Sequence, residues 1–142
     1  MNEPETIRGI LKLKTIAVVG LSAKPERPSY RVASYLQSHG YRIIPVNPGQ
    51  REILGEKCYR SLKDIPDPVD VVDVFRRSDH VPPIADEAIA IKAKALWLQD
   101  GVINEESARK AKEAGLLVVM DDCILRQHQA QDDPDYAPHC EI

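Results

Sequence analysis

Short runs of β-branched and other apolar residues alternate along this chain with segments of helical period. The apolar runs lie at residues 15–20, 41–46, 69–75, 95–98 and 116–120. Runs of this length, bounded by Gly, Pro or Asp, are typical of strands buried on both faces of a parallel sheet. A weaker strand is predicted near residues 56–59. Five to six strands are therefore expected.

The segments between the runs place apolar residues at the spacing of amphipathic helices. Helices are predicted over residues 29–39, 83–93 and 104–115, with Asn104 as an N-cap and Gly115 as a helix end. A leading helix within about residues 1–13 and a trailing helix at about 124–129 are expected to flank the sheet. The last residues, about 131–142, are expected to form a loose tail.

Regular alternation of strand and helix predicts right-handed βαβ units. The fold class is therefore α/β: one Rossmann-like, doubly wound parallel sheet over residues 1–142, with helices on both faces. In such sheets ligands bind outside the carboxyl ends of the strands. The loops that follow the predicted strands are consequently the candidate site.

Composition excludes several classes of protein. The 142 residues suit one domain, and no apolar run is long enough to cross a bilayer. The acidic start does not resemble a secretory signal, and the widely spaced Cys58, Cys123 and Cys140 predict free thiols in the cytoplasm. A net charge of −3 without a long basic run argues against nucleic-acid binding.

The loop after the first strand departs from the dinucleotide pattern GxGxxG. Ser22 takes the place of the second glycine and Pro25 that of the third, which favours a different phosphate pose. Gly20 can still turn tightly, and Ser22 and Ser29 offer hydroxyls beside a helix start. An ordinary solvated loop is the alternative.

The loop after the second strand, residues 46–51, lacks the acid that an NAD site uses to bind ribose hydroxyls. Arg51 follows instead, which suits an additional phosphate on the ribose, as in NADP or a 3′-phosphorylated adenosine. The alternative is that Asn47, Pro48 and Gly49 form an ordinary turn. After the third strand, Phe75 is placed where an adenine could pack.

Positive side chains gather at these strand ends although the whole chain is acidic. They are Lys24, Arg27, Arg31, Arg51, Arg76 and Arg77. A positive rim on a negative protein indicates an anionic ligand, and several cations suit several phosphates.

At these positions the chain resembles the small stand-alone CoA-binding domain proteins (the YccU-like group) and the CoA-binding Rossmann domain of the succinyl-CoA synthetase α subunit. The similarity extends from about residue 7 to 126. The segments that carry it are Val18-Val19-Gly20-Leu21-Ser22 with Lys24, Arg27-Pro28-Ser29, Val46-Asn47-Pro48, Val74-Phe75-Arg76, Leu98-Gln99-Asp100-Gly101 and Asp121-Asp122-Cys123.

The resemblance implies that coenzyme A lies across the strand ends. Residues expected to line its site are Gly20, Ser22, Lys24 and Ser29 in the first loop, Val46, Asn47 and Pro48 around the nucleotide, and Phe75, Arg76 and Gln99 at the rim. Arg27 adds a cation to the first loop. Arg51 as the partner of the 3′-phosphate rests on charge alone, since the family pattern does not fix it.

We expect a binding module for CoA or a short acyl-CoA rather than an enzyme, because no nucleophile with a base and an orienting partner is visible. No metal site is expected either. Cys123 could form a mixed disulfide with CoA or be a small buried hydrophobe; the preceding Asp122 is expected to make its surroundings acidic. The alternative function is an oxidoreductase domain that binds NADP or a flavin nucleotide. A homodimer or a ligase-like partner subunit is possible.

Overall fold

A computed structural model of the protein describes residues 1–132. The strands are β1 (Thr15–Val19), β2 (Arg42–Val46), β3 (Glu52–Ile53), β4 (Glu56–Lys57), β5 (Val71–Val74), β6 (Ala95–Leu98) and β7 (Leu117–Val119). The helices are α1 (Pro4–Leu11), α2 (Pro28–Ser38), α3 (Val81–Ala90), α4 (Glu105–Glu113) and α5 (Ile124–Asp132). Two short 3₁₀ turns lie at Leu62–Asp64 and Ser78–His80.

Five of the strands form a parallel sheet in the order β2-β1-β5-β6-β7. Along β1, Ile16 pairs with Ile43 of β2 on one side and with Val71 of β5 on the other. The expected α/β fold with a parallel sheet is confirmed.

The weak strand predicted near residues 56–59 is only partly correct. Strand β4 pairs antiparallel with β3 in a separate hairpin. The hairpin forms because Leu54 and Gly55 both have positive φ, 55° and 75°, which is the geometry of a tight two-residue turn. Only Tyr59 joins the main sheet, as an isolated parallel bridge to Val46. Tyr59 can be counted as a sixth strand of the main sheet, at its edge beside β2. If the six strands are then renumbered along the chain, their order is 3-2-1-4-5-6, that of the Rossmann fold.

Helices cover both faces of the sheet, as predicted. One core packs α1, α2 and α5 against the sheet, and the other packs α3 and α4 against the opposite face. Trp97 of β6 is fully buried in the first core, where its Nε1–H donates to the carbonyl of Asp122 at 2.9 Å. This bond ties the middle of the sheet to the turn that leads into α5.

Helix boundaries differ from the prediction by a few residues. Asn104 caps α4, since its Oδ1 accepts from the N–H of Ser107 at 3.0 Å. Helix α5 continues to Asp132, beyond the predicted end. The predicted tail therefore overlaps this helix, and its remainder, residues 133–142, lies outside the described residues. No helix of the described chain is long and apolar enough to cross a membrane.

The central strand β5 contains a fully buried acid, Asp73. Its neighbours across the sheet are Val18 and Trp97, and within residues 1–132 neither carboxyl oxygen has a hydrogen-bond partner. Burial raises the pKa of Asp73 well above its ordinary value of 3.8. Burial therefore favours the protonated form of this group in the folded protein.

Candidate functional site

The carboxyl edge of the sheet contains a topological switch point between β1 and β5. The connection that follows β1 runs through α2 to β2, whereas the connection that follows β5 runs through α3 to β6 on the other side. The two loops separate there and leave a crevice, as in other open α/β sheets. Three cavities open along this edge, of about 420, 790 and 350 Å³.

The 420 Å³ cavity, called here the loop cavity, is formed mainly by the loop after β1. Its lining residues are Gly20, Ser22, Lys24, Arg27, Pro28, Ser29 and Phe75. The structure thus brings together every residue that the sequence assigned to a site in this loop. Lys24 and Arg27 are exposed, and neither forms an ion pair within the described chain.

The two serines of this loop hold its shape. Ser29 is buried, and its Oγ accepts from the N–H of Ser22 at 2.9 Å. The Oγ of Ser22 accepts in turn from the N–H of Lys24 at 3.1 Å. These bonds fix the backbone from which the Lys24 and Arg27 side chains project.

Gly20 allows β1 and β5 to stay close at their ends. It has a φ of 88°, and a Cβ built on it would lie 2.7 Å from the carbonyl oxygen of Phe75. Its N–H donates to the carbonyl of Val46 at 3.0 Å, while the N–H of Phe75 donates to the carbonyl of Val19 at 2.9 Å. Backbone conformation and close approach both require glycine here.

Phe75 and Arg76 lie where the three cavities meet. Phe75 lines the loop cavity and the largest cavity, and Arg76 lines the largest and the smallest. Arg76 Nη2 donates to His80 Nδ1 at 3.0 Å, and this bond fixes the guanidinium between the largest and the smallest of the three cavities. Arg77 is exposed and lies 3.6 Å from Asp79.

The 790 Å³ cavity, called here the α5-side cavity, lies between the starts of α2 and α5. Its apolar wall is formed by Val32, Phe75, Val102 and Leu125. Cations at its rim are Arg31, Arg76 and Arg77. Five of the six cations predicted to surround the site therefore line this cavity or the loop cavity.

Gln99 has a structural role that the sequence did not predict. It lines the α5-side cavity, but the residue is only 4% exposed. Its Oε1 accepts from the N–H of Ile124 at 3.2 Å and so holds the first turn of α5 in place. The other end of the amide, Nε2, makes no hydrogen bond to the described residues.

Cys123 is half-buried and lines the same cavity. Asp122, which was expected to make these surroundings acidic, accepts a hydrogen bond from Arg126 at its Oδ1 at 2.8 Å. Arg126 also binds both carboxylate oxygens of Asp100, at 2.9 and 3.0 Å. The hydrogen bond to Asp100 contributes most to raising the pKa of Arg126. One cation is therefore shared by two carboxylates near Cys123, which leaves a net negative charge among these three side chains.

The loop after β2 is held by Asn47. Its Nδ2 donates to the carbonyl of Leu21 at 2.9 Å, and its Oδ1 accepts from the N–H of Gly49 at 2.8 Å. Asn47 thus joins the loops after β1 and β2. Val46 and Pro48, also predicted to be site residues, line the 350 Å³ cavity, called here the α3-side cavity.

Arg51 is placed differently from the other predicted cations. It is exposed, leads into the β3–β4 hairpin and lines none of the three cavities. Arg60, which the sequence analysis missed, lines the α3-side cavity together with Arg76. Arg60 directly follows the Tyr59 bridge, so the rule that selects residues after strand ends applies to it as well. The strand pattern at residues 56–59 was too weak to predict where a strand ends, so Arg60 was not recognised as a residue after a strand end.

Within residues 1–132, no group of three or more His, Cys, Asp or Glu side chains is arranged to hold a metal ion. The chemistry of the edge is that of a binding crevice: exposed cations, an apolar wall and a few buried polar groups.

Comparison with known proteins decides the family. The sequence profile described as a CoA binding domain matches residues 14–129. The chain belongs to this CoA-binding domain family. The resemblance inferred from the strand-end segments is confirmed.

Relatives of two kinds support this assignment. The uncharacterized protein YneT of Bacillus subtilis is 49% identical over 115 residues, which cover 81% of this chain and 85% of YneT. A structure of a hypothetical protein from Pyrococcus horikoshii OT3 has a TM-score of 0.88 and 42% identity, covering 92% of this chain and 93% of that one. In both comparisons the match covers more than four-fifths of this chain and of the relative.

The second kind of relative is larger. Acetate–CoA ligase (ADP-forming) II of Archaeoglobus fulgidus is 31% identical over 108 residues, which cover 75% of this chain but only 16% of the ligase. The chain thus corresponds to one part of a much longer enzyme.

Proposed function

We propose that the protein binds coenzyme A, or a short acyl-CoA, across the carboxyl ends of its parallel strands, and does so without transforming it. The observation that carries the proposal is the pair of exposed, unpaired cations, Lys24 and Arg27, in the loop cavity, which shares Pro28 and Phe75 with the mostly apolar α5-side cavity. A ligand suited to this crevice has phosphates at one end and a flexible, mostly apolar arm at the other. CoA has both.

The loop cavity suits the diphosphate. Lys24 and Arg27 approach it from exposed positions, and the serine bonds hold the loop that carries them. In a protein with a net charge of −3, this local positive charge attracts a polyanion to one edge of the sheet.

The α5-side cavity suits the pantetheine arm. Its volume of about 790 Å³ lies within the usual range for small-molecule sites, and its wall is mostly apolar. The Nε2 of Gln99 can donate a hydrogen bond to an amide carbonyl of the arm. Phe75 separates the two cavities and can pack against the middle of the ligand.

Calorimetric titration with CoA, dephospho-CoA, NAD and NADP tests this proposal. Saturable binding of CoA is expected. Replacing both Lys24 and Arg27 by Ala should weaken it by about 100-fold or more, since hydrogen bonds to charged groups contribute about 1.5–3 kcal/mol each. The control is the double variant Arg109→Ala with Lys112→Ala, which removes the same charge from exposed positions on α4.

Two results would overturn the proposal. Tight binding of NADP without any binding of CoA would favour the oxidoreductase alternative, and a flavin spectrum in the purified protein would do so as well. Equal affinity for CoA in the two double variants would mean that the phosphates bind elsewhere.

A second candidate function follows from the match to one part of an ADP-forming ligase. In this proposal the protein presents CoA to a catalytic partner subunit. When tagged and isolated from its host, it should then bring with it an ADP-forming activity that requires acetate and CoA. If the isolated protein binds CoA but carries no such activity, the simple binding role is favoured.

A further inference from the structure

We infer that the α3-side cavity holds the phosphorylated ribose of CoA and that Arg60 selects there for the 3′-phosphate. This inference rests on the proposed function and deepens it by naming the residue that would distinguish CoA from its dephosphorylated form. Neither the sequence motifs nor the family assignment singles out Arg60.

The backbone holds Arg60 at the binding edge. The N–H of Tyr59 donates to the carbonyl of Pro45 at 3.0 Å, and the N–H of Asn47 donates to the carbonyl of Tyr59 at 2.9 Å. These two bonds place the residue after Tyr59 beside the end of β2. Its exposed side chain lines a cavity of about 350 Å³.

The charges in this cavity suit a phosphate. Arg60 forms no ion pair within the described chain, and Arg76 is held from the other side by His80. Of the two acids that line the cavity, Asp79 has its carboxylate 3.6 Å from Arg77. One free guanidinium and one tethered guanidinium therefore face a common space.

The second acid, Glu87, also lines the cavity, but its Oε1 is buried and has no hydrogen-bond partner in the described part of the chain. A buried oxygen has no surface open to a ligand, so Arg60 and Arg76 remain the groups that would bind the anion.

The remaining wall of the cavity suits a nucleoside. It includes the apolar residues Val19, Val46, Pro48, Leu62, Pro83 and Ile84, with the polar Ser61 among them. Val19 lines this cavity and the adjoining Gly20 lines the loop cavity, so the diphosphate that follows the ribose can lie in the loop cavity. Arg51, the residue first expected to bind the 3′-phosphate, does not line this cavity.

The test compares CoA with dephospho-CoA in three proteins: the unsubstituted chain, Arg60→Ala and Arg51→Ala. The unsubstituted protein should prefer CoA by about 10- to 100-fold, the effect of one charge-assisted contact. In Arg60→Ala this preference should fall to about one, because affinity for CoA drops while affinity for dephospho-CoA is unchanged. Arg51→Ala removes the same charge from an exposed position nearby and should keep the full preference. Thermal unfolding of each variant checks that the fold is intact.

Each other outcome overturns a defined part of the argument. If Arg60→Ala keeps the preference, or if Arg51→Ala loses it, the assignment of Arg60 is wrong while CoA binding stands. If the unsubstituted protein binds CoA and dephospho-CoA equally, the 3′-phosphate is not recognised and only this inference fails. If it binds neither, the proposed function and the inference fail together.

Discussion

At the scale of single residues, Asp73 is an acid whose complete burial opposes the ionisation of its side chain. A buried acid without a partner remains neutral in the folded protein but ionises in the unfolded chain. Stability is therefore lost as the pH rises above about 4 towards the raised pKa, by up to about 1.4 kcal/mol per pH unit.

Replacing Asp73 by Asn removes this ionisation while conserving size. The free energy of unfolding of Asp73→Asn, relative to the unsubstituted protein, should therefore increase as the pH rises above about 4. Urea unfolding at several pH values measures this difference, in which the contributions of all other groups cancel. Parallel pH profiles for the two proteins would contradict a raised pKa at Asp73.

Gly20 is a second residue whose identity follows from its surroundings. Gly20→Ala should destabilise the fold by roughly 2–4 kcal/mol, because the positive φ costs about 1–2 kcal/mol and the contact with the carbonyl of Phe75 adds to it. Gly40→Ala is the matched control: its φ is 91°, but nothing lies within 4 Å of its Cβ. Chemical unfolding should show a clearly smaller loss there, and equal losses would mean that the close approach is unimportant.

At the scale of elements, the loops after β1 and β2 are joined by the side chain of Asn47. Asn47→Ala removes two hydrogen bonds and should lower stability by about 1–3 kcal/mol in the absence of any ligand. Asn47→Asp keeps the acceptor for Gly49 but loses the donor to Leu21, so its loss should be intermediate. A purely ligand-binding role would instead leave the unfolding of both ligand-free variants unchanged.

The elements also show how far the sequence predicts the fold. Buried strands were predictable because their apolar runs are short and sharply bounded, and Asn104 marked the start of α4 by its ability to cap. The β3–β4 hairpin was not predictable, since it depends on a positive φ at Leu54, a conformation that the side chain of leucine does not signal.

The candidate site was predictable to the extent that it follows from strand ends. Lys24 and Arg27 were identified because they lie in the loop that follows β1. Arg51 was selected and Arg60 was missed, because the hairpin that lies between them is not signalled by the sequence. Likewise, the sequence places Gln99 and Asn47 at the edge but does not reveal that their side chains bind the protein's own backbone.

At the scale of the whole molecule, charge is distributed unevenly: a net −3 chain carries unpaired cations along one edge. Affinity for CoA should therefore decrease as salt is raised from about 0.01 to 1 M, over which the Debye length falls from about 30 to 3 Å. The Lys24 and Arg27 double variant should show a weaker salt dependence than the Arg109 and Lys112 control. Affinity independent of salt would contradict electrostatic attraction of the ligand.

The serine and asparagine bonds that join the strand-end loops have a consequence for binding thermodynamics. Segments that are disordered before a ligand arrives lose conformational entropy when they close around it, and that loss reduces affinity. Here Ser22, Ser29 and Asn47 already restrict the backbone of the crevice in the ligand-free protein. Its rigidity should leave most of the interaction energy available to hold the ligand, so that association requires little rearrangement of the main chain.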